Sequence, residues 1–250
     1  MPLHGEHEGR GPRLVLVHGF TQTGRCWGPV GETLAKDHEV MRLDAPGHGG
    51  SSAIRADLGE TAWLIGEAGG PAVYLGYSMG ARMLLHVALA SPTLVQGLIL
   101  VGGTAGIEDE AERNARRQRD QTLASQLRRD GVEAFLELWL DQPLFAGLPA
   151  WAQFREERSR NTADGLASSL ELAGTGSQEP LWTQLARLDM PVLLIAGADD
   201  TRYAELAARM AEAIGDNATT ALVPAAGHAA HLEQPQALLD LVRPWLTTRN

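Results

Sequence analysis

Short, mostly apolar blocks punctuate the chain at 14–17, 40–43, 72–75, 97–101, 192–195 and 219–223. Most are closed by Gly, Pro, Asp or His, and all are too short for a helix, so they predict buried strands. Between them, apolar positions return with a period near 3.6, which predicts helices over 27–35, 58–67, 81–89, 203–214 and 235–245. Strands separated by helices pair through crossovers rather than hairpins. The expected class is therefore α/β: a mostly parallel sheet flanked by helices on both faces.

The alternation stops from 104 to about 187. Helical periodicity persists there without a strand, charges crowd 108–119, and aromatics follow at Phe135, Trp139, Phe145, Trp151 and Phe154. So long a stretch is not a loop of a compact domain. It predicts an inserted helical lid, 104–187, interrupting a core made of 1–103 and 188–250.

Composition narrows the partners. A chain of 250 residues, 44% hydrophobic, fits one domain or a core with an inserted subdomain. The net charge of −10 argues against nucleic acid and anionic membrane but leaves small anionic substrates open. The single Cys26 excludes an internal disulfide and a multi-cysteine metal site. No apolar run is long enough for a signal peptide or a membrane span, which predicts a cytoplasmic protein. No cofactor or metal is expected, and the chain is expected to be a monomer or small homo-oligomer.

The candidate chemistry starts at GYSMG, 76–80, where a predicted strand turns sharply into a predicted helix with Ser78 at the apex. Such a turn strains the serine backbone and crowds it against the helix, so the residues two away on either side must be small; Gly76 and Gly80 are. A serine needs a base and a group that orients the base. In an alternating α/β chain these stand in loops after strand ends. AGADD at 196–200 offers Asp199 and Asp200, and AAGH at 225–228 offers His228. Donors for a developing oxyanion would be the peptide N–H groups of Met79, just after the serine, and Phe20, just after the first strand. Arg82 lies one helical turn beyond Ser78 and can face the same cleft. His18 and His48 read as loop braces, and His231 as no more than a lining residue.

Taken together and in order, HGF (18–20), DAPGHGGS (44–51), GYSMG, GADD (197–200) and GH (227–228) resemble the α/β-hydrolase superfamily across the whole chain. GYSMGAR, AERNARRQR (111–119), WLDQPLF (139–145), ERSRN (157–161), GTGSQEPLW (174–182), DDTRY (199–203) and GHAAHLEQP (227–235) are similar to the 2-succinyl-6-hydroxy-2,4-cyclohexadiene-1-carboxylate synthases of menaquinone biosynthesis. That resemblance implies a lyase that eliminates pyruvate, with Ser78, His228 and Asp200 rather than Asp199 as the catalytic group. It implies substrate contacts from Arg82, Arg117, Arg158, Tyr77 and Trp139. The departures are Ala81 where the family has a second glycine, the sequence of 198–203, GGTAG at 102–106, and a short start that puts one or both antiparallel edge strands in doubt. The competing function is a hydrolase of esters, or of C–C bonds in ring-cleavage diketones, using the same three residues with water entering the second step.

Overall fold

The computed structural model describes residues 1–248. Strands β1 (Gly5–Glu8), β2 (Arg13–Val17), β3 (Glu39–Leu43), β4 (Ala72–Tyr77), β5 (Val95–Val101), β6 (Val192–Gly197) and β7 (Ala218–Val223) form one sheet in the order β1-β3-β2-β4-β5-β6-β7. Every neighbouring pair is parallel except β1 with β3. One antiparallel edge strand is thus present, in the polar start where the pattern predicts none. GEHE alternates too briefly to register as a strand; it is held by backbone pairing with β3 and by Asp44 N–H donating to the His4 carbonyl at 2.9 Å.

Helices α1 (Gly28–Leu34) and α9 (Pro235–Thr247) cover one face, and α2 (Leu58–Gly69), α3 (Met79–Ala90) and α7 (Thr201–Ile214) the other. The central strands are buried on both sides, so Val15, Val17, Leu98 and Leu100 join one core while Leu14, Leu16, Ile99 and Val101 join the other. This two-sided burial is why their sequences read as unbroken apolar runs. Asp57 caps α2 by accepting from Glu60 N–H, and the Glu60 carboxylate accepts in return from Asp57 N–H.

Between β5 and β6 the chain is helical: α4 (Glu110–Leu140), α5 (Arg155–Arg158) and α6 (Ala163–Ala173), with 3-10 turns between and after them. Gly131 (φ 81°, ψ 173°) breaks α4 into two pieces. These helices have a small core of their own, with Ala124, Leu127 and Phe135 of α4 against Leu166, Ala167 and Leu170 of α6. Phe20 and Trp139 pack at its edge, where it meets the carboxyl ends of the strands. Among the described residues no helix is long and apolar enough to cross a membrane.

Candidate active site

Ser78 sits between β4 and α3 with φ 51° and ψ −106°, a backbone state that side-chain-bearing residues seldom adopt. Its neighbours make the turn possible. A Cβ on Gly80 would lie 2.1 Å from the Val17 carbonyl oxygen, and one on Gly76 would lie 2.7 Å from the Ala81 nitrogen. The turn is pinned by Ser78 N–H donating to the Val101 carbonyl at 2.8 Å, and helix α3 starts as Arg82 N–H donates to the Ser78 carbonyl at 3.1 Å.

The loops after β6 and β7 bring two further groups to the serine. His228 Nε2 is 3.0 Å from Ser78 Oγ, and His228 Nδ1 is 2.9 Å from Asp200 Oδ2. A carboxylate only accepts, so Nδ1 carries the proton and Nε2 accepts from the serine hydroxyl. Asp199, by contrast, is exposed, and its N–H donates to the Ala226 carbonyl at 2.9 Å. Asp200 also caps α7 by accepting from Tyr203 N–H, so one carboxylate orders both the imidazole and the helix. The Tyr203 and Tyr77 rings stand 4.4 and 5.4 Å from that of His228 and hold it between them.

The Phe20 and Met79 peptide N–H groups find no acceptor among the described residues, and both residues line the cavity above Ser78. Thr21, next to Phe20, has φ 67°. Its hydroxyl takes a hydrogen bond from buried Arg158, and its carbonyl one from Asn161 Nδ2 at 2.7 Å. The strained turn is therefore held by α5 and the residues just after it.

The cavity has a volume of about 490 Å³, and its wall carries Arg82, Arg116, Arg119, Arg158 and Arg202 together with the serine, histidine and aspartate. Tyr77 and Trp139 line it too, with Trp139 stacked on Phe135 at 5.6 Å. Arg82 and Arg158 are buried, and burial lowers the affinity of both for their protons, Arg82 to about 10. Both stay cationic near neutral pH. Arg82 donates to Gln178 Oε1 at 3.2 Å and the Ala173 carbonyl at 3.1 Å, and Arg158 to Thr21 and the Gln153 carbonyl. All are neutral acceptors, so neither guanidinium has a carboxylate partner among the described residues.

Arg117 is not part of the wall. Its Nε–H reaches away to the Gly176 carbonyl at 3.1 Å, and its place is taken by Arg116, one residue earlier. One residue is about 100° around a helix, and the registry is set by Asp120. Buried at the cavity edge, Asp120 accepts from Arg116 Nε at 2.8 Å and from Gly176 N–H at 3.1 Å. Gln178, Arg202 and Tyr203 are further site residues that spacing did not reveal. His231 does not line the cavity; it is buried, with its ring tilted against that of Tyr77 at 4.1 Å and near Trp27 at 4.9 Å.

His18 and His48 brace the loops. Ala45 N–H donates to His18 Nε2 at 3.1 Å, and His48 Nδ1 lies 3.0 Å from the Pro46 carbonyl. Burial pushes His18 and His231 below the usual histidine range and takes His48 to about 3. Unfolded, each would take up a proton near pH 6.5, whereas the folded protein excludes it. Stability is thus fully present above that pH and is lost as pH falls below it, by up to ~1.4 kcal/mol per pH unit for each such histidine, continuing for His48 to about 3. Urea midpoints should drop steeply between pH 7 and pH 5, before most carboxylates titrate. A flat profile over that window would contradict the burial of neutral imidazoles.

An alpha/beta hydrolase family model matches residues 14–241. The 2-succinyl-6-hydroxy-2,4-cyclohexadiene-1-carboxylate synthase of Salmonella paratyphi C is 34% identical over 257 aligned residues, covering 96% of this chain and 97% of the relative. Among solved structures, MenH from S. aureus superposes with a TM-score of 0.90 at 28% identity, covering 98% of each chain. A malate-bound thermophilic esterase from Thermogutta terrifontis superposes at 0.86 with 25% identity, covering 99% of this chain and 93% of its own.

Proposed function

Because this chain belongs to the alpha/beta hydrolase family, we propose that its cavity runs an elimination: loss of pyruvate from a succinyl-, carboxyl- and enolpyruvyl-bearing cyclohexene, the step for which its relatives are named. The observation that carries this reading is the density of cationic side chains on the cavity wall beside Ser78. A neutral ester has little use for five arginines, two of them buried without a carboxylate partner; a substrate with several carboxylates supplies the missing counter-charge.

In this reading His228 takes the Ser78 proton and Asp200 stabilises the imidazolium. The serine oxygen then removes a ring C–H proton. The freed electron pair is delocalised onto an oxyanion held by the Phe20 and Met79 N–H groups. As it returns, it forms the ring double bond and breaks the ring carbon–oxygen bond, and enolpyruvate leaves and is protonated at carbon to pyruvate. Serine keeps the ring proton as its hydroxyl hydrogen, and the His228 imidazolium gives up its own proton to the departing enolpyruvate, so the enzyme ends as it began. Arg82, Arg116 and Arg158 grip carboxylates, Tyr77 and Trp139 fill the apolar walls, and 104–187 acts as a lid over a core of 1–103 and 188–250. The enzyme works in the cytoplasm on a small anionic substrate.

Incubation with the enolpyruvyl precursor, read through coupled oxidation of NADH by lactate dehydrogenase, should show enzyme-dependent pyruvate. Release no faster than the spontaneous background would remove the lyase reading and leave ester or C–C hydrolysis by the same three residues.

A further inference from the structure

The loop that carries His228 is held by a group with no part in the chemistry. Glu233, from the four-residue helix α8 (Ala230–Glu233), turns its carboxylate back under the loop. Oε2 accepts from Gly227 N–H at 2.7 Å, and Oε1 accepts from Ala229 N–H at 3.0 Å. These are the residues immediately before and after His228. One rigid, planar group therefore fixes the backbone on both sides of the imidazole, and charge-assisted bonds of this length are the strong kind. On the other side of the same carboxylate lies the chain that follows α4. A Cβ added to Gly147 would stand 2.4 Å from Glu233 Oε2, so a larger residue there would have to displace the carboxylate. Pro143–Phe145, just before it, ends in Phe145, which lines the cavity.

We propose that Glu233 is a positioning residue: it sets the reach of His228 to Ser78 by clamping Gly227 and Ala229, and the segment through Gly147 seats against that clamp. The proposal rests on His228 serving as the base for Ser78, but not on the lyase reading. Asp200 orients the imidazole ring through one nitrogen, yet the ring's distance from the serine is decided by where its backbone stands. In the described residues that backbone is fixed on both flanks by one side chain. The same carboxylate faces Gly147, so movement of the segment between α4 and α5 bears directly on the base.

The test uses a reaction that needs an activated serine and no particular substrate. Phenylmethanesulfonyl fluoride sulfonylates such a serine: the Ser78 oxygen–sulfur bond forms, fluoride leaves, and the serine proton passes to His228. In Glu233→Ala the sulfonylation rate should fall ~100-fold, the scale of a misplacement of about 1 Å at a catalytic group. Glu233→Gln keeps one acceptor but turns an NH₂ towards the other N–H, so it should fall less. Gly147→Ala removes no hydrogen-bonding atom yet pushes the carboxylate off its two donors, and it should slow the reaction as well. With the natural substrate, kcat should fall while KM holds, because no cavity contact is touched. A merely structural glutamate would lower the melting temperature and leave the rate of the folded protein intact. Folded Glu233→Gln and Gly147→Ala proteins that react at the wild-type rate would overturn the proposal, whether or not pyruvate release is ever observed.

Discussion

Ser78→Ala is expected to lower kcat by ~10³-fold or more while leaving the melting temperature and substrate affinity near wild type. The hydroxyl is hydrogen-bonded to His228 alone among the described residues, so its loss removes the proposed reacting group and little that supports the fold. The strained φ of 51° at this position is imposed by the β4–α3 turn and the Val101 bond, which alanine keeps. His228→Ala should cost a similar factor, because an unassisted serine hydroxyl is a poor base. The double variant separates this from two independent losses. If serine and histidine act as one unit, the pair of substitutions costs about as much as either alone; independent contributions would multiply. Wild-type-like turnover in either single variant, with folding intact, would end the assignment of both residues.

How much of this could be read from the chain depends on which force sets each feature. The inner parallel strands β2 to β6 are largely buried on both faces, so each left an apolar run, whereas the edge strand β7 is half exposed and shows only a short one. β1 is held by backbone pairing at a sheet edge and leaves no apolar signature. The serine turn was legible because its two glycines are demanded by contacts of 2.1 and 2.7 Å that no side chain could survive. Asp199 and Asp200 are adjacent, equally acidic and equally placed after β6, so pattern alone could not separate them. What does is that Asp200 is the N-cap of α7 and turns inward, while Asp199 points to water. That Arg116 rather than Arg117 lines the cavity was not legible for a related reason. Arg113, Arg116, Arg117 and Arg119 crowd one charged stretch with few apolar positions to mark its inner face. The marker is Asp120, a buried acid whose partners lie four residues back in the helix and across the fold at Gly176. Gln178 and Tyr203 were silent because their roles exist only in three dimensions: one caps a buried guanidinium, and the other backs the imidazole.

Arg82→Met should separate function from stability in one substitution. The guanidinium lies one helical turn past the serine, buried, with two neutral acceptors and no carboxylate partner among the described residues. A charge kept in that state destabilises the empty protein, as the lowering of its proton affinity to about 10 by burial already indicates. Methionine fills similar space without the charge, so the variant should melt no lower than wild type, although Gln178 loses a donor. With the anionic substrate bound the balance reverses. The carboxylate that Arg82 would grip loses a charge-assisted bond, and kcat/KM should fall by ~1–3 kcal/mol in transition-state terms, or roughly five- to 150-fold. Arg82→Lys should recover only part of this, since an ammonium cannot keep both neutral acceptors and grip a carboxylate in two-point fashion. A neutral ester offered to the same variants gives the contrast: its turnover should not depend on residue 82. If Arg82→Met lost stability and processed the anionic substrate as well as wild type, the arginine would be a packing residue, and the case for a substrate bearing several carboxylates would lose its strongest support.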